Sequence, residues 1–195
     1  MTSETAVPPD EDIGRFSARR LNEADCAPFR TLRLQALASS PAFMPLIEDH
    51  GDRLPLEIEQ SWPIDVWLAL LRDNDQRQFF GLFAGPELIG IGQLKRIDEA
   101  IAELKSAFIK PAYRGRGLWK LLLRVRVDHA LREKYREIRV GYRMGNELMA
   151  RALKKTAFRE SHREQMKDKY QDGIYGCRVV LSMSLPASGS LPDAS

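Results

Sequence analysis

Apolar residues recur along the chain in two spacings, one typical of strands and the other typical of helices. Seven short runs that are rich in aliphatic and aromatic residues or alternate in polarity predict strands, over residues 16–21, 78–84, 88–96, 102–109, 136–143, 158–167 and 175–185. Gly85, Pro86 and Glu87 separate the second run from the third, which predicts a β-hairpin. The strand over residues 102–109 would be the third of this meander.

Helical spacing begins after Asn22, a residue type that caps helices. The apolar positions Phe29, Leu32 and Ala36 follow it and predict a first helix. Between residues 39 and 63, four prolines exclude a long helix, so a loop with short helical pieces is expected.

Two further helices are predicted. Residues 62–72 carry Trp62 and Trp67, and both indoles are expected to pack in the core, with stacking on a ligand as the alternative. An apolar helix over residues 118–133 joins the strands before and after it, so those strands should be parallel neighbours with a right-handed crossover. His129, on this helix, is expected at the surface or at its boundary.

A basic turn that contains two glycines precedes the third helix, with the sequence Arg114, Gly115, Arg116, Gly117, Leu118 and Trp119. Glycines between a strand end and a helix start leave backbone N–H groups unpaired, and the helix dipole favours an anion at the same place. The spacing is not that of a nucleoside-triphosphate loop, and the glycines of the Rossmann pattern are absent. The turn therefore predicts a site for another phosphate-bearing ligand.

The turn and its flanks resemble the acetyl-CoA motif of the GNAT acetyltransferase superfamily. That motif is Arg/Gln-x-x-Gly-x-Gly/Ala, preceded by an aliphatic strand residue and x-Pro-x-Tyr. The matching residues, in order, are Ile109, Pro111, Tyr113, Arg114 and Gly117. Trp119 departs from the motif, because it stands where Gly or Ala is expected.

Further matches lie downstream of the turn. Asn146 and Phe158 keep the register of a second family pattern, but Leu153 stands at the family's Tyr position and Ala157 at its Gly position. The resemblance implies an α+β fold of three layers (α/β/α), in which helices flank a GNAT-like mixed central sheet with splayed parallel strands. One such domain is expected over residues 14–185.

The resemblance also implies acetyl-CoA as a co-substrate. The expected cofactor-binding residues are Phe108, Ile109, Arg114, Gly115, Arg116, Gly117, Leu118, Trp119 and Asn146. Backbone N–H groups around Phe108 and Ile109 would polarise the thioester carbonyl, as donors do in an oxyanion hole. Amides of the turn would hold the pyrophosphate, with Arg114 or Arg116 pairing with its oxygens.

Two side chains are candidates for acid–base chemistry. Glu103 lies six residues before Ile109, the register in which histone-type members of the family keep their catalytic Glu. The resemblance therefore implies a general base, and the alternative is a strand carboxylate that pairs with Lys105 or another sheet neighbour. Because Leu153 replaces the family's general-acid Tyr, Tyr142 is the phenol nominated as a substitute, and its alternative role is packing within a strand. Acetyl transfer needs no metal.

Composition narrows the class of protein. The 195 residues, 44% hydrophobic and 29% charged, are typical of a soluble globular domain. No apolar run approaches the roughly 20 residues of a membrane helix, and the N-terminus is not signal-like, so a cytoplasmic protein without a membrane partner is expected.

Cys26 and Cys177 are expected to be free thiols. Residues 1–13 and 186–195 have the composition of a disordered arm and tail.

The net charge of +3 is unevenly distributed. Residues 111–180 carry 18 Lys and Arg against 8 Asp and Glu, a charge of +10, while the remainder carries 12 against 19, a charge of −7. Clustered basic charge fits nucleic-acid binding or attraction for a polyanionic cofactor such as CoA. The basic residues are not interleaved with aromatic ones, which favours the cofactor.

The sequence thus predicts an N-acetyltransferase that transfers an acetyl group from acetyl-CoA to a primary amine of a small molecule or peptide. A CoA-binding member of the same fold with little or no catalysis is the alternative, motivated by Trp119, Leu153 and Ala157. A nucleic-acid-binding protein ranks third. In the family, the region over residues 39–63 borders the acceptor site, so its acidic residues are either a collector of cationic amines or a solvated loop. The identity of the amine stays open, as does the choice between monomer and homodimer.

Overall fold

The strands predicted from the hydrophobic pattern lie together in one mixed sheet. The computed structural model describes residues 15–39, 55–72, 74–166 and 176–186. The strands are β1 Phe16–Arg20, β2 Arg77–Ala84, β3 Glu87–Arg96, β4 Ile101–Ile109, β5 Glu137–Arg143, β6 Arg159–Gln165 and β7 Cys177–Ser184. Their order in the sheet is β1-β2-β3-β4-β5-β7-β6. The β4–β5 pair is parallel and the other neighbours are antiparallel, as the helical connection between β4 and β5 requires.

The helices are α1 Cys26–Ser39, α2 Pro55–Gln60, α3 Ile64–Leu71, α4 Leu118–Arg132 and α5 Glu147–Lys154. A short 3-10 turn precedes α1, and Asn22 caps it: its side chain accepts a hydrogen bond from Ala24 N at 2.9 Å, while Asp25 accepts from Asn22 N at 3.0 Å. This reciprocal capping satisfies amides that the helix start leaves without partners. The periodicity does not predict α5, which is short.

The sheet separates two hydrophobic cores, one under each layer of helices. The α4 core, under α4 and α5, includes Leu104, Leu118, Leu122, Val140 and Leu153. The α1 core, under α1 and α3, includes Phe29, Trp67, Phe79, Ile91 and Phe108. Trp67 is fully buried and the ring of Trp62 lies 5.4 Å from its ring, so both indoles pack in the core as predicted. The predicted three-layer α/β/α architecture is confirmed.

The inner face of α4 is more polar than the sequence indicated. His129, expected at the surface or at its boundary, is buried with 8% exposed, and its ring lies 5.3 Å from that of Phe80. Arg126 is 1% exposed, its Nε donates to Leu122 O at 2.9 Å, and burial lowers its pKa to about 10. The helix lies across β1, β2 and β3, so both side chains are covered by the sheet.

Several expectations concern residues that the structure does not describe. The predicted N-terminal arm, residues 40–54 of the acidic loop, the connection between β6 and β7 and the tail from residue 187 lie outside the described residues. Cys26 and Cys177 are both free thiols, the first buried and the second half-buried. None of the helices in the described ranges has the length and apolar character that crossing a membrane requires.

A buried ion pair joins α2 to α1. Arg33 Nε lies 2.8 Å from Glu59 Oε2 and Arg33 Nη2 lies 2.6 Å from Glu59 Oε1, and neither side chain is exposed. Two parallel charge-assisted hydrogen bonds fix the orientation of both planar groups. The pair therefore fixes where the short helix α2 docks on α1.

We expect Glu59→Gln to lower the free energy of unfolding by about 3–5 kcal/mol, because it leaves the Arg33 guanidinium buried without its counter-charge. Arg33→Met combined with Glu59→Leu should cost much less, since an apolar pair removes the unpaired charge altogether. Urea unfolding at constant pH measures both changes.

Arg72→Met provides the matched control. Arg72 also pairs with a glutamate, Glu23, at 2.8 Å, but both side chains are largely exposed. Its loss should change stability by less than about 1 kcal/mol. A double variant as unstable as Glu59→Gln would contradict the electrostatic explanation.

Candidate functional site

Strands β4 and β5 pair over a short stretch and then separate. Their register runs from Ile101 opposite Glu137 to Leu104 opposite Val140 and goes no further. Beyond Leu104, β4 continues to Ile109 paired with β3, and β5 continues to Arg143 paired with β7. The result is a wedge-shaped gap in the sheet, lined by backbone edges that do not pair with each other. This gap confirms the splayed parallel strands that were predicted.

A bulge in β4 accounts for the separation. Ser106 has a left-handed φ of 53°, and the register with β3 shifts between Ile91 and Gln93. A β-bulge bends its strand and interrupts the alternation of side chains. Leu104 accordingly faces the α4 core while Phe108, an even number of residues later, faces the α1 core. The bend begins just after the last β4–β5 pair.

Backbone alternation decides which amides at the end of β4 face the gap. Lys110 N donates to Ile89 O across the β3 side at 2.9 Å. In an antiparallel ladder the N–H groups of successive residues point to opposite sides of the strand. The amide of Ile109 therefore faces the gap, and that of Phe108 faces β3. Of the two predicted carbonyl donors, Ile109 is the better placed.

The glycine turn lies between the end of β4 and the start of α4. Gly115 and Gly117 have φ of 79° and 72°, a region that glycine adopts with little cost. A Cβ at either position would have no atom within 4 Å, so the space above the turn is open. In the described part of the chain, the amides of Gly115, Gly117, Leu118 and Trp119 donate no hydrogen bond. Free amides at a helix start form a site for an anion such as a phosphate.

Glu87 at the start of β3 holds the segment that leads into the turn. Its carboxylate accepts hydrogen bonds from Lys110 Nζ at 2.6 Å and from Tyr113 Oη at 2.8 Å. These two donors lower the pKa of Glu87, and the bond to Glu87 raises the pKa of Tyr113. The Tyr of the sequence motif thus positions the turn through its hydroxyl.

The two arginines of the turn have different surroundings. Arg114 Nε donates to Ile109 O at 2.9 Å, and its guanidinium lies 5.3 Å from the centre of the Phe108 ring, so Arg114 connects the turn to the end of β4. Arg116 is exposed and lies 5.9 Å from the centre of the Tyr113 ring. Trp119, the departure from the motif, is partly buried and packs against the α4 core.

Glu103 lies on the face of the sheet opposite α4. Its neighbours Ala102 and Leu104 belong to the α4 core, and side chains alternate along a strand. Only 9% of the Glu103 side chain is exposed. Arg178 Nη2 donates to Glu103 Oε1, and Lys105 Nζ lies 4.0 Å from Oε2. The ion pair with a sheet neighbour, one of the two roles that the sequence offered, is therefore present.

The pKa values of the two cations beside Glu103, Arg178 and Lys105, are shifted from their ordinary values. Burial lowers the pKa of Arg178, but Glu103 and Glu164 outweigh this effect and hold the pKa above its ordinary value. Burial also lowers the pKa of Lys105, and Glu103 offsets only part of that change. The Lys105 amine is thus easier to deprotonate than a solvated lysine, whereas Arg178 stays charged.

The remaining predicted residues lie on the α4 side of the gap. Tyr142 lies on β5 beyond its last pair with β4 and packs against the α4 core. Leu153, at the position of the family's Tyr, is 1% exposed in the same core, so no hydroxyl stands there. Asn146 caps α5, because its Oδ1 accepts from Met149 N at 3.2 Å. Glu103 and Tyr142 therefore approach the gap from opposite faces of the sheet.

Two residues of this site were not predicted, Ser106 and Arg178. A serine at a bulge has no distinguishing sequence signal. For Arg178 a signal exists in its neighbour: Gly141 is a glycine inside a strand, which often marks the close approach of another group, and the Arg178 guanidinium lies against it. Among the described residues, no group of three or more His, Cys, Asp or Glu side chains could hold a metal ion.

Several solved structures with the same fold are acetyltransferases by name. RimL, the ribosomal L7/L12 α-N-protein acetyltransferase in complex with coenzyme A, aligns with a TM-score of 0.70 and 14% identity over 93% of this chain and 99% of that chain. RimJ from Mycobacterium smegmatis, in complex with a CoA disulfide, aligns with a TM-score of 0.68 and 16% identity over 87% and 81%. A variant of spermidine N-acetyltransferase SpeG from Vibrio cholerae aligns with a TM-score of 0.65 and 16% identity over 88% of this chain and 94% of that chain.

Sequence comparison gives a family and no individual relative. No curated protein matches the chain significantly. The model of the acetyltransferase (GNAT) family matches residues 43–158, which is more than half of the chain and includes the glycine turn and both strands of the gap. Together with the parted strands and the open turn, this match shows that the chain belongs to the GNAT family of acetyltransferases.

Proposed function

We propose that this protein transfers an acetyl group from acetyl-CoA to a primary amine of a small molecule or peptide. One observation carries the proposal: the gap between β4 and β5 opens at the end of the sheet where the glycine turn starts α4. A phosphate group at the turn and a thioester in the gap can therefore belong to one extended molecule. Structures with this fold that contain coenzyme A support the assignment.

The turn supplies contacts for a polyanion. The amides of Gly115, Gly117 and Leu118 donate no backbone hydrogen bond, the space around both glycines is open, and the N-terminal end of the α4 dipole adds positive potential. The exposed guanidinium of Arg116 is close enough along the chain to pair with the same anion. At the other end, the Ile109 amide faces the gap and is the donor we assign to the thioester carbonyl.

Transfer forms an N–C bond and breaks the C–S bond of the thioester. The attacking amine must be neutral, and it loses a proton as the thiolate leaves. We assign the proton acceptor to Glu103, acting directly or through a water. Its Oε1 is occupied by Arg178, so Oε2, 4.0 Å from Lys105 Nζ, is the oxygen that receives the proton.

The acceptor class follows from chemistry that similar proteins share. Proteins of this fold act on the N-terminus of a ribosomal protein and on spermidine, according to their names, and both acceptors offer a primary amine. We therefore assign a primary amine to this chain without choosing between a peptide and a polyamine.

A second candidate is a CoA-binding protein of the same fold with little or no catalysis. The observation that favours it is Leu153, which fills the family's Tyr position with a hydrocarbon that is 1% exposed. If protonation of the leaving thiolate is essential, this site lacks the usual donor.

Gly117→Val is expected to weaken acetyl-CoA binding at least tenfold, a loss of about 1.4 kcal/mol. The added side chain would occupy the open space above the turn and would disfavour the left-handed backbone. Titration calorimetry measures the affinity. Gly85→Val is the matched control, since Gly85 also has a left-handed φ of 55° and open space around it but lies in the β2–β3 hairpin. Equal affinities in folded Gly117→Val and wild type would remove the turn from the binding site.

Turnover of acetyl-CoA with a panel of amines, from N-terminal peptides to polyamines, tests the function itself. At least one amine should be acetylated, and Glu103→Gln should reduce its turnover by about 10²–10⁴-fold, the usual contribution of a positioned base. Acetyl-CoA affinity should stay within twofold, because Glu103 is remote from the turn. Binding without turnover of any amine would favour the second candidate.

The pH dependence should show one limb only. A CoA thiol has a pKa near about 8.5, like that of cysteine, so its thiolate can leave without an enzymic acid. Turnover is expected to rise with pH and then stay level to about pH 9, and Tyr142→Phe should change it less than threefold. A descending limb below pH 9 that disappears in Tyr142→Phe would instead make Tyr142 the acid.

A further inference from the structure

Three strands are connected by one chain of charges on the face opposite α4. Arg178 of β7 contacts Glu103 of β4 through Nη2, and its Nη1 lies 2.9 Å from Glu164 Oε2 on β6. Glu164 Oε1 in turn lies 3.1 Å from His162 Nε2. The chain of contacts thus starts at the proposed base and ends at the exposed edge of the sheet.

The contact between Glu103 and Arg178 has to cross β5. Glu103 lies opposite Arg139 of β5, while Arg178 lies opposite Arg143 of the same strand. The Arg178 side chain therefore runs diagonally over the residue between them, Gly141. A Cβ built at Gly141 would collide with the Nε, Cζ and Nη2 atoms of Arg178. Only glycine at this position leaves room for the guanidinium.

The crossing point coincides with the start of the gap. Val140 is the last β5 residue that pairs with β4, and Gly141 is the next residue. Arg178 thus bridges the two strands at the point where their backbone pairing ends. Both side chains of the pair are largely buried, with 9% of the Glu103 side chain and 20% of the Arg178 side chain exposed.

We propose that Arg178 is a positioning residue for acetyl transfer: it passes over Gly141, holds the Glu103 carboxylate at the narrow end of the β4–β5 gap, where the two strands begin to separate, and is itself anchored by Glu164. This inference rests on the proposed role of Glu103. A bidentate guanidinium suits the task, because its rigid fork can contact two carboxylates at once while an ammonium is a point charge. Arg178 does not touch the reacting atoms and acts through Glu103.

Steady-state kinetics in a double-mutant cycle test the proposal, with acetyl-CoA and the best amine of the panel. Arg178→Met should lower kcat about tenfold or more while the KM for acetyl-CoA changes less than twofold. In the Glu103→Gln background the same substitution should have less than a twofold further effect, since its target has lost its function. Arg178→Lys should recover part of the turnover that Arg178→Met loses. Arg72→Met is the control: it breaks an exposed pair with Glu23 and should leave kcat unchanged.

Gly141→Ala tests the geometry without removing a charge. It should lower kcat as Arg178→Met does, because the added methyl displaces the guanidinium. In an Arg178→Ala background, where the space is empty, Gly141→Ala should have no further effect. If Gly141→Ala lowers kcat equally in both backgrounds, Gly141 acts independently of Arg178. That result would contradict the proposal that the Arg178 side chain passes over Gly141.

The outcomes separate this inference from the proposed function. If Arg178→Met lowers kcat by the same factor with Glu103 and with Gln at that position, Arg178 is structural and the inference fails while acetyl transfer stands. If Glu103→Gln keeps wild-type turnover, both the base and its positioning residue are overturned.

If no amine is acetylated, the contact is still testable by urea unfolding: the cycle between Glu103→Gln and Arg178→Met should show at least a tenfold coupling in the unfolding constant, about 1.4 kcal/mol. No coupling would overturn the contact itself.

Discussion

The end of backbone pairing between β4 and β5 is the constraint on which the site depends. After Leu104 and Val140 each strand keeps one partner, β3 or β7, and the edges that face each other carry free backbone groups. Buried backbone groups without partners are costly, so this arrangement favours a ligand that lies in the gap and satisfies them. The bulge at Ser106 maintains the separation, because it turns β4 away from β5.

The same connection that makes β4 and β5 parallel also places the glycine turn, the proposed anion site. The crossover leaves the end of β4 through the glycine turn and returns through α4, so the helix start must lie at the end of the sheet where the gap opens. Glu87 and Arg114 fix the turn to β3 and to the end of β4. The proposed phosphate site and the proposed thioester site are therefore positioned by one supersecondary unit.

Buried charge is distributed unevenly between the two faces of the sheet. On the α1 side, Arg33 and Glu59 form a fully buried bidentate pair, and Arg178 contacts Glu103 through Nη2 alone in a pair that is largely buried. Such pairs add little net stability, because desolvation offsets most of the Coulomb attraction, but they fix geometry since breaking one leaves an uncompensated charge. On the α4 side, Arg126 is covered by the sheet and burial lowers its pKa to about 10. The buried ion pairs that hold side chains in a fixed orientation thus lie on the face of the sheet that carries Glu103.

The sequence by itself determined the strands, the long helices, the parallel pair and the glycine turn, because these depend on local periodicity, capping residues and backbone freedom. Resemblance to histone-type members of the family also indicated Glu103 as a base, through its register with Ile109, and this role stays a prediction. Only the tertiary structure decided that Ser106 bends β4, that His129 is buried and that Arg178 reaches Glu103 over Gly141. These features depend on contacts between residues distant in sequence, 75 positions apart for Glu103 and Arg178. The spacing of residues along the chain carries no information about which side chain will cross a neighbouring strand. That contact is decided by how the strands pack against each other in the folded sheet.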